Sequence, residues 1–288
     1  MTKKILITGA NGQLGHEMRN ALKGNNRFEC IFTDVAELDI CNAEAVKQII
    51  ADNHIDYIVN CAAYTQVDKA EDNAELCKKI NTDAVENLAR AAADYGARMI
   101  HISTDYVFNG RGYSPYTEDM PPDPQSVYGS KLEGEKILTD ICPESIIIRT
   151  AWLYSPYGNN FVKTMLHLGE EREELSVVAD QIGTPTCAAD LAQAILVILQ
   201  ADTFVPGTYH FSDEGVCSWY DFTVTIHRLA GITTCRVTPI RSDEYPSKAH
   251  RPFYSVLDKS KIKKTYGLTI PHWYESLSNC IKLLQETH

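Results

Sequence analysis

The chain is poor in positive charge: over 288 residues, 27 Lys and Arg stand against 38 Asp and Glu, a formal charge of −11. Displacing counterions from nucleic acid or adhering to an anionic lipid surface requires a basic footprint, so no nucleic-acid partner and no membrane partner are expected. No apolar run approaches the ~20 residues that span a bilayer. The start, Met1-Thr2-Lys3-Lys4-Ile5-Leu6-Ile7, reaches a glycine too early to supply a signal-peptide apolar region, and the expectation is a cytoplasmic chain. Cys-x-x-Cys pairs are missing. The nine cysteines (Cys30, Cys41, Cys61, Cys77, Cys142, Cys187, Cys217, Cys235 and Cys280) are odd in number and widely spaced, which suits neither a disulfide framework nor a zinc site. They read as reduced, mostly buried small hydrophobes. The nine histidines form no helix-spaced ligand pair, so no metal is expected. Linkers, repeats and low-complexity segments are absent too. A chain of this length buries roughly 75% of its unfolded surface and needs no staple to hold a core.

What is present is an alternation. Short β-branched runs at Lys4 to Thr8, Cys30 to Thr33, Tyr57 to Cys61, Met99 to Ser103 and Ile146 to Arg149 read as strands. Amphipathic stretches at Ala43 to Asp52, Glu71 to Tyr95 and Gln125 to Asp140 read as helices between them. Several strands are apolar on both faces, as strands covered by helices on both sides must be. The fold class is therefore α/β, a Rossmann-type doubly wound parallel sheet. After Trp152 the pattern changes to helices near Asn160 to Glu170 and Ala188 to Leu199 around a strand at Leu175 to Val178. Tyr209 to Phe211, Tyr220 to Ala230, Arg236 to Ile240 and Trp273 to Leu284 complete a smaller α+β portion. We expect residues 1–152 to form a dinucleotide-binding domain, to which later segments return, and residues 153–288 to be mainly substrate-binding.

The first strand runs into Gly9-Ala10-Asn11-Gly12-Gln13-Leu14-Gly15, followed by Leu14, Met18 and Leu22 at helical spacing. Gly9 permits a tight turn, Gly12 lets backbone amides approach a pyrophosphate, and Gly15 permits close helix-on-strand packing. The helix N-terminus adds a favourable dipole for the anion. Asp34, at the end of the second strand, is placed to accept both ribose hydroxyls of an adenosine, which leans towards NADH over NADPH.

The spacing G-x-x-G-x-x-G differs from the dehydrogenase G-x-G-x-x-G and resembles the extended short-chain dehydrogenase/reductase superfamily. Further matches follow in the order that family requires: Asn60 to Thr65 after the third strand, Ile102 to Phe108 after the fourth, Tyr128-Gly129-Ser130-Lys131 opening the next helix, and Arg149 to Tyr154 after the fifth. Within the superfamily, Ala63 to Glu71, Gly158 to Met165, Asp180 to Thr186 and Arg251 to Ser255 resemble the branch that reduces a 4-keto deoxysugar carried on dTDP. The likeness runs from about residue 3 to about residue 285.

The resemblance implies a dTDP-sugar substrate, NADPH or NADH as cofactor, and a chain that is a monomer or a homodimer. It assigns the cofactor to Gly9, Asn11, Gly12, Gln13 and Leu14, to Asp34, Asp39 and Ile40, to Ala62, Ala63 and Tyr64, and to Tyr128 and Lys131. It places the substrate against Thr65, Val67, Thr104, Asp105, Tyr106, Trp152, Asn160, Lys163 and Arg251. Tyr128 would donate the proton, Lys131 would lower the phenol's pKa and hold the nicotinamide ribose, and Thr104 would orient the substrate oxygen. Arg251 is the leading cation for the diphosphate, since a guanidinium meets phosphate oxygens in a bidentate way. Asn160 serves equally well as a helix cap.

Two departures matter. The family motif is Tyr-x-x-x-Lys, whereas only two residues separate Tyr128 from Lys131. On a regular helix that change swings the lysine by about 100° and shortens the rise by about 1.5 Å. Some family members form metal-bridged dimers through glutamates; Glu17 matches one such position, but Ala189 stands where another ligand is expected. Two other readings stay open. One is a cofactor-binding regulatory subunit, like the methionine adenosyltransferase β subunit, for which the shortened spacing argues. The other is an epimerase or dehydratase, against which Tyr106 argues, since dehydratases carry a glutamate there.

Overall fold

The computed structural model describes residues 2–286. Its first half builds β1 (Lys3–Thr8), α1 (Gln13–Leu22), β2 (Phe28–Thr33), α2 (Ala43–Asn53) and β3 (Tyr57–Asn60). Then come α3 (Val67–Asp72), α4 (Ala74–Lys78), α5 (Ala84–Tyr95), β4 (Arg98–Thr104), α6 (Lys131–Ile141) and β5 (Ile146–Thr150). Residues alternate across the strands as the two-residue period demands. Ile5 and Ile7 pack with Met18, Leu191 and Ile195 on one face, while Leu6 packs with Ile50, Leu88, Met99 and Leu138 on the other. All of these are fully buried, and each such side chain contributes about 1.5–3 kcal/mol relative to exposure.

The single long helix expected over 71–95 is broken. Asn73 leaves helical geometry at φ −130°, ψ 45°, and Lys79–Asp83 form a wider π turn before α5 begins. Periodicity survives such interruptions because the buried face is kept, so the apolar stripe alone does not reveal them.

The second half supplies β6 (Leu153–Tyr154), α7 (Phe161–Glu171), β7 (Glu174–Val178), β8 (Ile182–Gly183), β9 (Thr186–Cys187) and α8 (Ala188–Gln200). It ends with β10 (Gly207–His210), β11 (Cys217–Ser218), α9 (Trp219–Ala230), β12 (Arg236–Ile240), α10 (Ser260–Tyr266) and α11 (Trp273–Glu286). β10 does not stay with the smaller portion. It pairs with β5 and completes a six-stranded sheet in the order β10-β5-β4-β3-β1-β2, with every pairing parallel. Tyr209 on β10, with Phe211 just beyond it, packs into the same core as β1 and α1, which is why the strand belongs there. A third core, around Tyr154, Phe222, Leu277 and Ile281, holds the remaining helices together.

The chain leaves β1 for β2 on one side and returns to β3 on the other, so the strand order reverses at β1. In open parallel sheets a crevice opens at that reversal, beyond the carboxyl ends of the strands. No helix among the described residues is long and apolar enough to cross a membrane.

Candidate active site

A cleft of about 910 Å³ lies at the carboxyl ends of the strands, between the sheet and the smaller portion. Its floor begins with the glycine loop. Gly9 sits at φ +64°, and a Cβ there would stand 2.6 Å from the Ala62 backbone nitrogen. A Cβ on Gly15 would stand 2.4 Å from the Gly9 carbonyl oxygen, so side chains are excluded at both places. Gly12 precedes α1 without any side-chain cap, which leaves the first-turn amides available to an anion. Asp34 ends β2 and accepts from the amides of Asn11 at 2.9 Å and Val35 at 2.8 Å. These contacts aim the carboxylate across the mouth of the loop. Both the loop and the acid suit a dinucleotide: a backbone cradle for pyrophosphate beside an acceptor for ribose hydroxyls.

All the candidate residues except Tyr64 and Lys163 line this cleft. Tyr64 has both backbone groups taken by the Asn81 side chain, at 2.9 and 3.1 Å. Lys163 turns its ammonium back to the Pro156 carbonyl at 3.4 Å. Asn160 does two things at once. Its Oδ1 accepts from the Lys163 amide and caps α7, while its Nδ2 donates to Gln13 Oε1 at 3.0 Å and ties the smaller portion to α1.

Thr104 and Asp105 close β4. The Thr104 hydroxyl donates to Asp105 Oδ1 at 3.0 Å, accepts from the Tyr106 amide, and interacts with the Tyr128 phenol. Asp105 is 4% exposed, and burial raises its carboxyl to about 7 against the pull of its hydrogen bonds. Burial is also the main influence on Tyr128, whose phenol is pushed well above its ordinary value, with Asp105 and Tyr106 adding to the shift. The expected depression of that phenol by Lys131 is thus not the dominant effect. The Lys131 charge is felt instead by His101, and its own ammonium, 2% exposed, is lowered to about 8 by burial. A phenol raised in this way carries its proton at neutral pH, which is the state a carbonyl reduction consumes.

The short Tyr-Lys spacing is accommodated because the segment is not a regular α-helix there. Val127–Ser130 form a 3₁₀ turn, and the Lys131 amide donates to the Tyr128 carbonyl. In that geometry residues three apart eclipse, so both side chains enter the cleft from one face.

Tyr106, Trp152, Trp219 and Arg251 also line the cleft. Trp152 adopts φ +51° and stacks on Trp219 with ring centroids 3.5 Å apart. Sequence reasoning passed over Trp219, which opens α9 far along the chain and carries no local motif. Leu38 and Lys79, further along the wall, were also passed over. The Arg251 guanidinium donates to Asp68 on α3 at 2.5 Å and also contacts Tyr106. Glu17 is buried and accepts from Asn20, and no cluster of three metal-ligating side chains occurs among the described residues.

Comparison with known proteins shows the family and the fold. The family model described as RmlD substrate binding domain matches residues 3–286. A dTDP-4-dehydrorhamnose reductase from Aggregatibacter actinomycetemcomitans is 42% identical, over 96% of this chain and 97% of that one. A crystal structure of a dTDP-4-dehydrorhamnose reductase from Clostridium acetobutylicum superposes with a TM-score of 0.94 at 48% identity, covering 98% of this chain and 99% of the other. The Bacillus anthracis enzyme of that name, solved in complex with NADP, gives a TM-score of 0.94 at 40% identity, covering 98% and 100%.

Proposed function

Because this chain belongs to the RmlD substrate binding domain family, we infer that its cleft reduces the 4-keto group of dTDP-4-dehydro-L-rhamnose to give dTDP-L-rhamnose, with NADPH or NADH as reductant. The observation that carries the reading is the convergence of Thr104, a protonated Tyr128 and Lys131 in the cleft that also holds the glycine loop and Asp34. A reductase name on relatives matched along nearly their whole length favours this over a regulatory subunit.

The glycine loop, Asp34, Tyr128 and Lys131 would hold a reduced nicotinamide dinucleotide, which would supply hydride to the carbonyl carbon. Thr104 turns its hydroxyl proton from Asp105 to the substrate oxygen and orients it, and Tyr128 passes its phenolic proton to that oxygen as negative charge builds there. The Lys131 ammonium, which lines the same cleft, is the cation available to the phenolate that remains once substrate is bound. Arg251 meets the diphosphate once Asp68 shares or releases its guanidinium. Tyr106 and the Trp152–Trp219 stack supply the apolar wall for sugar or base.

The direct test is loss of nicotinamide absorbance when purified protein meets dTDP-4-dehydrorhamnose, with NADH and NADPH supplied separately. Cofactor binding without turnover would remove the proposal. Asp34 also sets the ratio of the two cofactors. A carboxylate repels a 2′-phosphate, so Asp34→Ser is expected to raise the NADPH-to-NADH ratio of kcat/KM about tenfold, a differential of about 1.4 kcal/mol. An unchanged ratio would show that Asp34 does not face the adenosine ribose.

A further inference from the structure

The turn that carries the catalytic pair has no cap of its own. Ser126 occupies the capping position in extended geometry, yet its hydroxyl is buried and makes no hydrogen bond. The free amide at the start of the turn, that of Val127, is instead taken from outside: it donates to Glu71 Oε1 on α3 at 2.9 Å. The far end is also held from outside, since Thr82 Oγ1 donates to the Ser130 carbonyl at 3.3 Å. Between these tethers Ser130 (φ −58°, ψ −17°) and Lys131 (φ −54°, ψ −26°) take dihedrals close to those of a 3₁₀-helix.

The geometry matters for the chemistry. Three residues of 3₁₀-helix advance about 6 Å and return to the same face, which four residues of α-helix also do to within about 40°. If the segment relaxed to an α-helix with the residue count it has, Lys131 would fall about 60° short of alignment with Tyr128 and about 1.5 Å closer along the axis. A 3₁₀ turn is the weaker of the two in hydrogen-bond geometry, so outside tethers have most to add at such a turn.

We propose that Glu71 is a positioning residue for the reaction, holding the Tyr128–Lys131 turn in the 3₁₀ register that makes a three-residue spacing work. The proposal rests on the reading of Tyr128 and Lys131 as the catalytic pair. The same helix also anchors the substrate end. Asp68, three residues before Glu71 and therefore on the same side of α3, accepts from Arg251 at 2.5 Å and from the Ala249 amide at 3.2 Å. One short helix thus references the proton donor and the phosphate-facing arginine to each other.

The test is steady-state kinetics on the full chain with NADPH and dTDP-4-dehydrorhamnose, alongside NADPH binding by fluorescence titration. Glu71→Ala is expected to lower kcat roughly tenfold to a hundredfold, because misplacement by about an ångström has that effect, with NADPH affinity within about twofold of wild type. Glu71→Gln, whose amide oxygen still accepts from Val127, is expected to recover kcat to within about threefold. Thr82→Val, which preserves shape at the other tether, is expected to lower kcat about threefold to fivefold and keeps the question open to test should Glu71→Ala fail to fold. Wild-type kcat in Glu71→Ala would overturn the proposal, as would a Gln variant as impaired as the Ala variant, or equal losses in kcat and NADPH affinity. If Tyr128→Phe turned over at the wild-type rate, it would be the underlying reading that failed.

Discussion

Tyr128→Phe is expected to lower kcat at least about a hundredfold, the usual contribution of a positioned general acid, while leaving NADPH affinity nearly unchanged. The variant removes one hydroxyl from a half-buried position in the cleft wall and keeps the ring that packs edge-on against Tyr106, so the fold has no reason to change. The pH profile sharpens the test. In the free protein the Lys131 ammonium loses its proton at about 8. The kcat/KM profile, which reports the free enzyme, should therefore fall on its alkaline side near that value. Stability responds to the same group with the opposite sign. Below 8 the folded chain carries a buried charge that the unfolded chain would solvate. Between about 8 and the ordinary lysine value of 10.5, the unfolded state binds the extra proton, so this residue's contribution to stability rises with pH. Activity falling while the Lys131 contribution to stability rises identifies the lysine; both falling together would point to general alkaline unfolding.

The second large effect is structural. Glu135, one turn beyond Lys131 on α6, holds Arg149 of β5 through paired bonds of 3.0 and 2.6 Å, with both side chains almost wholly buried. Removing one partner of such a pair strands the other charge and costs about 3–5 kcal/mol. For a chain of this size Glu135→Ala should lower Tm by roughly 10 °C. The double variant Glu135→Met, Arg149→Met should recover most of that loss, because apolar groups of similar volume fill the site without a charge to bury. Thermal unfolding of the two singles and the double, treated as a cycle, checks this; additive losses would mean that the pair is not coupled. Glu135 also supports the Lys131 charge against burial, so in Glu135→Ala the alkaline limb of kcat/KM should move to lower pH.

Most of the frame was legible in the residues. Strands apolar on both faces, such as Ile146 to Ile148, have few places to go except the middle of a covered sheet. Gly9 and Asp34 belong to a local geometry whose chemistry follows from position alone. Features set by contacts across the chain were not legible. Nothing in Tyr209-His210-Phe211 says that the strand will leave its neighbours and pair with β5. Asn73 looks like an ordinary helix residue until its dihedrals are known, and Trp219 enters the cleft only because β11, which leads into α9, pairs with β8 and the Trp152 ring stacks on it. The three-residue spacing at Tyr128 looks like a defect when a regular helix is assumed; the missing information was Glu71, fifty-six residues before the Val127 amide it accepts from.

The stacked Trp152 and Trp219 give the molecule an optical property as well as a wall. Only three tryptophans are present, and Trp273 is sealed in the C-terminal core, where it contributes a steady background emission. The other two share the cleft, one ring against the other, so whatever settles there changes their surroundings directly. Occupancy of the cleft can therefore be followed in the unlabelled protein by its own emission, before any chemistry occurs and in variants that perform none.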